Sequence, residues 1–154
     1  MVRSAFAHEG TGRLLVHRLK YEALAGIADR MAVALEPLLG TEATALVPIP
    51  RVTARRWKYG IDPAAALATA LARRVEIPVV QCLRAQFYLR RRAGTAASPR
   101  GQPSFWLRMP APVGAVLIDD VVTTGHTVAE LSRVLKNQGV KRIDIWCCAR
   151  TLVK

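Results

Sequence analysis

Val116-Leu117-Ile118-Asp119-Asp120-Val121-Val122-Thr123-Thr124-Gly125-His126-Thr127 decides how the rest of this chain is read. With Ala115, its first three residues make a four-residue apolar run, the pattern of a strand buried on both faces. Two carboxylates follow, then a turn rich in hydroxyls with one glycine. Val128, Leu131 and Leu135 then recur at helical spacing, which predicts a helix from Thr127 to Gln138 that stops at Gly139. The mouth of such a helix offers unpaired N–H groups and the positive end of its dipole, and both suit an anion. Gly125 lets backbone approach that anion without a Cβ in the way, and Thr123, Thr124 and Thr127 add hydroxyl donors.

The acids need a task. A second negative charge ~6 Å away costs roughly 3 kcal/mol at an effective dielectric of 20, so two aspartates beside a phosphate require compensation. Sugar hydroxyls supply it, because a carboxylate accepts strong charge-assisted bonds from neighbouring O–H groups. A ligand with a phosphate at one end and a diol a few ångströms away fits both halves of the stretch, and ribose 5-phosphate is such a ligand. The bland alternative makes Asp119 and Asp120 exposed strand-end residues and Thr127 a simple helix cap. A P-loop is excluded, since no Gly-Lys-Ser/Thr follows the glycine. A receiver-type phosphoacceptor pocket needs a further acid at another strand end, and Ala45–Pro50 and Val79–Leu83 contain none.

Outward from this stretch, apolar strands alternate with amphipathic helices. The spacing predicts helices over Gly12–Tyr21, Glu22–Leu39 and Pro63–Val75, the last opened by Asp62 as cap and Pro63 at the first position. Strands are predicted at Ala45–Ile49, Val79–Leu83 and Arg142–Cys148. This alternation implies an α/β protein: a single domain over residues 1–154, with a mostly parallel sheet flanked by helices. Ligands of such sheets bind beyond the carboxyl ends of the strands, which directs attention to Pro50–Ile61 and Asp119–His126. Residues 84–112 lose periodicity and carry Gly94, Pro99, Gly101, Pro103 and Pro110, so a flexible hairpin or loop is expected there.

Charge is the unusual bulk property. The 154 residues carry 23 Lys+Arg against 11 Asp+Glu, a net charge of +12. Between Glu76 and Asp119 there is no carboxylate, while Arg84, Arg90, Arg91, Arg92, Arg100 and Arg108 fall there. A second basic run, Arg51, Arg55, Arg56 and Lys58, follows the first predicted strand. Such a field draws polyanions, whether nucleic acid or a phosphorylated metabolite. Trp57, Tyr59, Phe87, Tyr88, Phe105 and Trp106 lie among these arginines, as single-strand stacking requires, although core packing explains them equally well. Cys82, Cys147 and Cys148 form no C-x-x-C pair and read as small buried hydrophobes. No apolar run reaches the ~20 residues of a membrane span and no signal peptide is legible, so a cytoplasmic protein without membrane insertion is expected.

The stretch from Val116 to Thr127 closely resembles the phosphoribosyl pyrophosphate motif of type I phosphoribosyltransferases. His17-Arg18-Leu19-Lys20-Tyr21, Val47-Pro48-Ile49-Pro50 and Arg56-Trp57-Lys58-Tyr59-Gly60-Ile61-Asp62-Pro63 resemble the competence-associated ComF family, and the likeness covers about residues 10 to 151. It implies a type I phosphoribosyltransferase-like fold. Asp119 and Asp120 would hold the ribose 2- and 3-hydroxyls and stabilise an oxocarbenium-like sugar. Val121, Val122, Thr123, Thr124, Gly125, His126 and Thr127 would hold the 5-phosphate. Arg51, Arg55, Arg56 and Lys58, with Lys20, would face the pyrophosphate. The cofactor implied is Mg2+, held through substrate oxygens near Asp119 and Asp120 and by no protein cage. The implied ligand is phosphoribosyl pyrophosphate or ribose 5-phosphate, and residues 84–108 would form the hairpin that closes over it.

Two departures stand out. No counterpart of the Cys-rich zinc ribbon found upstream in many members is present, and Gln86 with Arg90–Arg92 is a thinner match to the family's hairpin pattern. Two functions therefore compete. One is a phosphoribosyltransferase linked to DNA uptake. The other is a non-catalytic sugar-phosphate sensor whose basic surface meets single-stranded DNA or competence proteins. Homodimer formation is compatible with both.

Overall fold

The computed structural model describes residues 1–21, 25–38, 40, 42–51, 62–87 and 103–151. Strand β5, Ala115–Val122, is the hub. It pairs in parallel with β6, Asp144–Arg150, on one edge and with β2, Ala45–Pro48, on the other. Outside β6 lies β1, Val2–Ala7, also parallel, so the sheet order is β1-β6-β5-β2. The mostly parallel sheet expected from the alternating pattern is present. β1 was not expected. Val2–Ala7 shows no apolar alternation, and its strand state comes from pairing with β6, in the register Val2 with Ile145 through Ala7 with Arg150.

Two apolar layers cover the sheet. On one face lie helices α1 (Gly10–Tyr21), α2 (Ala25–Leu35) and α3 (Pro63–Val75). Val16, Leu19, Met31, Leu35, Leu67 and Leu71 from these helices close over Leu46, Val116, Ile118 and Trp146 of the strands. A single turn of 3-10 helix, Glu36–Leu38, ends α2 where a longer helix to Leu39 was expected; Pro37 removes an N–H from the ladder there. On the other face, α4 (His126–Lys136) packs Leu131 and Leu135 against Val47, Leu117, Ile145 and Cys147. All three cysteines are buried free thiols, as read from the sequence.

The predicted strand Val79–Leu83 is corrected. Val79 makes only an isolated parallel bridge to Leu46, through Leu46 N–H to Pro78 O and Val80 N–H to Leu46 O, both 2.9 Å. The true strand is β3, Leu83–Phe87, which pairs antiparallel with β4, Pro103–Leu107. Its register was hidden because Phe105, Leu83 and Cys82 plug the second apolar layer, making the hairpin base part of the core. Residues 88–102 lie outside the described residues.

Candidate functional site

β5 is longer than its apolar run, so Asp119 and Asp120 sit within the strand and not after it. β2 ends at Pro48, opposite Ile118, and Ile49 N–H makes a last bond to Ile118 O at 2.8 Å. Beyond that point, among the described residues, one edge of β5 has no neighbouring strand, and the acids supply acceptors themselves. Asp120 N–H donates to Asp119 Oδ1 and Val121 N–H to Asp120 Oδ1, both at 2.9 Å. The pleat also slips just after the pair. Strict alternation would place Val121 with Leu117 and Val122 with Ile118, but Val121 packs in the first layer and Val122 in the second.

The two carboxylates face different surroundings. Asp120 is buried, and its Oδ2 meets Lys20 Nζ at 3.0 Å and Arg51 NH2 at 3.5 Å. Lys20 is brought there by α1, which Val16 and Leu19 anchor on the sheet. Gly12 permits that anchoring, because a Cβ there would stand 2.3 Å from Ala7 O. Arg51 is placed by Asp62. One oxygen of that carboxylate caps α3 by accepting from Ala65 N–H, and the other accepts from Arg51 N–H, both at 3.3 Å. Asp62 was read only as a cap; its second oxygen, which ties together the two ends of the 52–61 segment, has no sequence signal.

Asp119 has no cation within ion-pair distance among the described residues. Burial pushes its carboxyl well above the usual range, the adjacent Asp120 charge and side chain push it further, and the Asp120 N–H and more distant Lys20 oppose them. Its strand neighbour across β6 is Cys147, whose thiol is pushed up to about 12 by burial and then by the Asp119 charge.

The turn that follows is open. Gly125, at φ 77 and ψ 0, precedes α4 with no side-chain cap, so Thr127 does not cap the helix. A Cβ on Gly125 would meet nothing within 4 Å, so the left-handed backbone is what calls for glycine. Thr123, Thr124 and His126 are exposed, Val121, Gly125 and Thr127 are half-buried, and Val122 is buried, contributing backbone only. The uncapped N–H groups of the first turn face the same end of the sheet as the acids. The structure thus brings Lys20, Arg51, Asp119, Asp120 and the 121–127 turn together, while Arg55, Arg56 and Lys58 lie outside the described residues.

Parallel strands, an acid pair within the last half of the central strand, and a helix mouth following it define a phosphoribosyltransferase-like protein. The phosphoribosyl transferase domain family matches residues 62–153, more than half of the chain. The chain is 30% identical over 152 residues to the DNA utilization protein YhgH of Salmonella typhi, covering 90% of this chain and 67% of that protein. It is 33% identical over 117 residues to competence protein F of Haemophilus influenzae, covering 69% of this chain and 50% of that protein. The chain belongs to the phosphoribosyl transferase domain family, in its ComF-type branch. A purine phosphoribosyltransferase from Pyrococcus horikoshii shares the fold, with a TM-score of 0.52 at 24% identity over 84% of this chain and 78% of that one. Among the described residues no helix is long and apolar enough to cross a membrane.

Proposed function

We propose that this chain binds phosphoribosyl pyrophosphate together with Mg2+ and transfers its phosphoribosyl group, in a process connected with DNA uptake. One observation carries the reading: an acid pair at the end of the central strand stands seven residues or fewer from an uncapped helix mouth entered through a left-handed glycine. The helix mouth receives the 5-phosphate, and the carboxylates accept from the ribose hydroxyls. Lys20 and Arg51, both beside Asp120, supply positive charge for the diphosphate. Mg2+ would be held through ligand oxygens and water near Asp119 and Asp120, with no protein cage. When bound, Mg2+ offsets charge on the departing diphosphate.

In the transfer, a lone pair of the acceptor forms a bond to the anomeric carbon. The bond from that carbon to the diphosphate oxygen breaks, and the diphosphate leaves with the electron pair. The names borne by the relatives, DNA utilization protein and competence protein F, support a place in DNA uptake.

Thermal unfolding tests the reading. Phosphoribosyl pyrophosphate with Mg2+ at ~100 times its dissociation constant adds roughly 2.7 kcal/mol of stability. Asp119→Asn with Asp120→Asn abolishes that increment while circular dichroism stays native. A double variant that responds like the parent overturns the assignment of the acids.

A further inference from the structure

The opposite end of the sheet, where the parallel strands begin, holds a cavity of about 200 Å³ between Arg3, Ala43, Val116 and Trp146. Ala115, at the start of β5, is on its wall, and Asp119 is four residues further on. That step is about 13 Å at ~3.3 Å per residue, so the cavity is separate from the acid pair. The register of β1 with β6 sets Arg3 beside Trp146 on the face that α1, α2 and α3 cover. Trp146 is 2% exposed, and its Nε1 has no hydrogen-bond acceptor among the described residues. A buried donor left in that state is costly and uncommon. Arg3 is half-buried; its Nη1 donates to Leu38 O at 2.7 Å, and among the described residues it meets no carboxylate. Arg142, also on the wall, is by contrast paired with Glu42 and, through Nε at 2.8 Å, with Asp144. Backbone contacts brace this end of the site. Thr44 N–H donates to Gly114 O at 3.1 Å, and a Cβ on Gly114 would stand 2.7 Å from Glu42 O.

We propose that this cavity binds a small aromatic monocarboxylate, whose oxygens accept from Arg3 and from the Trp146 indole N–H. The guanidinium supplies the charge-assisted donor that a carboxylate needs, and the neighbouring strand supplies a second donor. Ala43, Ala115 and Val116 leave apolar wall for a ring. A cavity of roughly 150 Å³ already admits benzene. About 200 Å³ therefore accepts a ring bearing one carboxylate and little more. Charge narrows the choice further. Glu42 and Asp144 are satisfied by Arg142, which leaves Arg3 as the cation open to a ligand, and a dianion such as inorganic phosphate exceeds that single charge. A lone water satisfies the indole nitrogen but neither Arg3 nor the apolar wall. This proposal does not rest on the transferase reading.

Nitrogen–proton correlation NMR of the full chain, titrated with sodium benzoate, is the test. The indole N–H resonance of Trp146, assigned by its absence from Trp146→Phe, moves downfield and saturates at millimolar benzoate, while that of Trp106 stays in place. Benzyl alcohol and benzylamine move it by less than a fifth as much. Arg3→Met weakens benzoate binding at least ten-fold. Ala43→Met, which fills the cavity and keeps both donors, abolishes the shift, and it decides the matter if Arg3→Met does not fold. Asp119→Asn with Asp120→Asn leaves benzoate binding within two-fold, which separates failure here from failure of the sugar-phosphate assignment. The proposal is overturned if benzoate leaves the Trp146 resonance unmoved, or if benzyl alcohol moves it as far. It is also overturned if inorganic phosphate displaces benzoate at equal concentration, or if a folded Arg3→Met or Ala43→Met binds benzoate within two-fold of the parent.

Discussion

The two faces of β5 treat neighbouring acids in opposite ways. On the face covered by α1, α2 and α3, Asp120 is met by two cations drawn from the first third of the chain. On the face covered by α4, Asp119 looks toward Cys147 with no cation close by, and its charge is disfavoured. One position of sequence separates them, yet alternation in a strand sends them to different surroundings. A motif read as two equivalent carboxylates is thus chemically asymmetric: Asp120 is ion-paired to Lys20 and Arg51, whereas burial and the neighbouring Asp120 raise the carboxyl of Asp119.

Replacing each acid separately breaks that comparison most directly. Asp120→Asn strands Lys20 and Arg51 beside each other without their carboxylate, and urea unfolding without ligand should show a loss of about 1–3 kcal/mol, the cost of an unsatisfied part-buried charged group. Asp119→Asn should shift stability the other way. A carboxyl raised in the folded protein contributes stability that is complete below its unfolded value, near 3.9, and disappears as pH rises through the folded value. The Asn variant escapes that loss. Its advantage over the parent should be absent near pH 3.5 and grow with pH above that, as melting curves across the range will show; a constant difference would mean that Asp119 is not the group concerned.

Lys20→Met sharpens the picture at smaller scale. Arg51 remains at 3.5 Å, so a loss of about 0.5–1 kcal/mol is expected in ligand-free unfolding, with Asp120→Asn and Lys20→Met together costing less than their sum. The smallest effect expected is none at all. Burial raises all three thiols, Cys147 to about 12, so an alkylating reagent at pH 8 should leave Cys82, Cys147 and Cys148 intact in the native protein and label them in urea, read by mass spectrometry.

The candidate site was legible where its parts are contiguous. Strand, acids, glycine turn and helix follow one another from Val116 to Lys136, and each declares itself through local pattern: an apolar run, a left-handed glycine, a helical stripe. β1 was not legible, because Val2–Ala7 has no alternation of its own and becomes a strand through β6, more than a hundred residues away. The strand expected at Val79–Leu83 was placed four residues too early, because that stretch is as apolar as a strand but spends its apolarity on a single bridge and a core plug.

Residue order alone was enough to specify an α/β chain with a glycine turn and a helix after its central strand, since periodicity and backbone conformation are short-range properties. Which acid meets which cation was settled by folding, because Lys20 and Arg51 reach Asp120 across 100 and 69 positions and only the packing of α1 and the second oxygen of Asp62 bring them there. Folding likewise turned Phe105 inward and Trp106 outward, a choice between two adjacent aromatics that depends on which face of the hairpin the core covers.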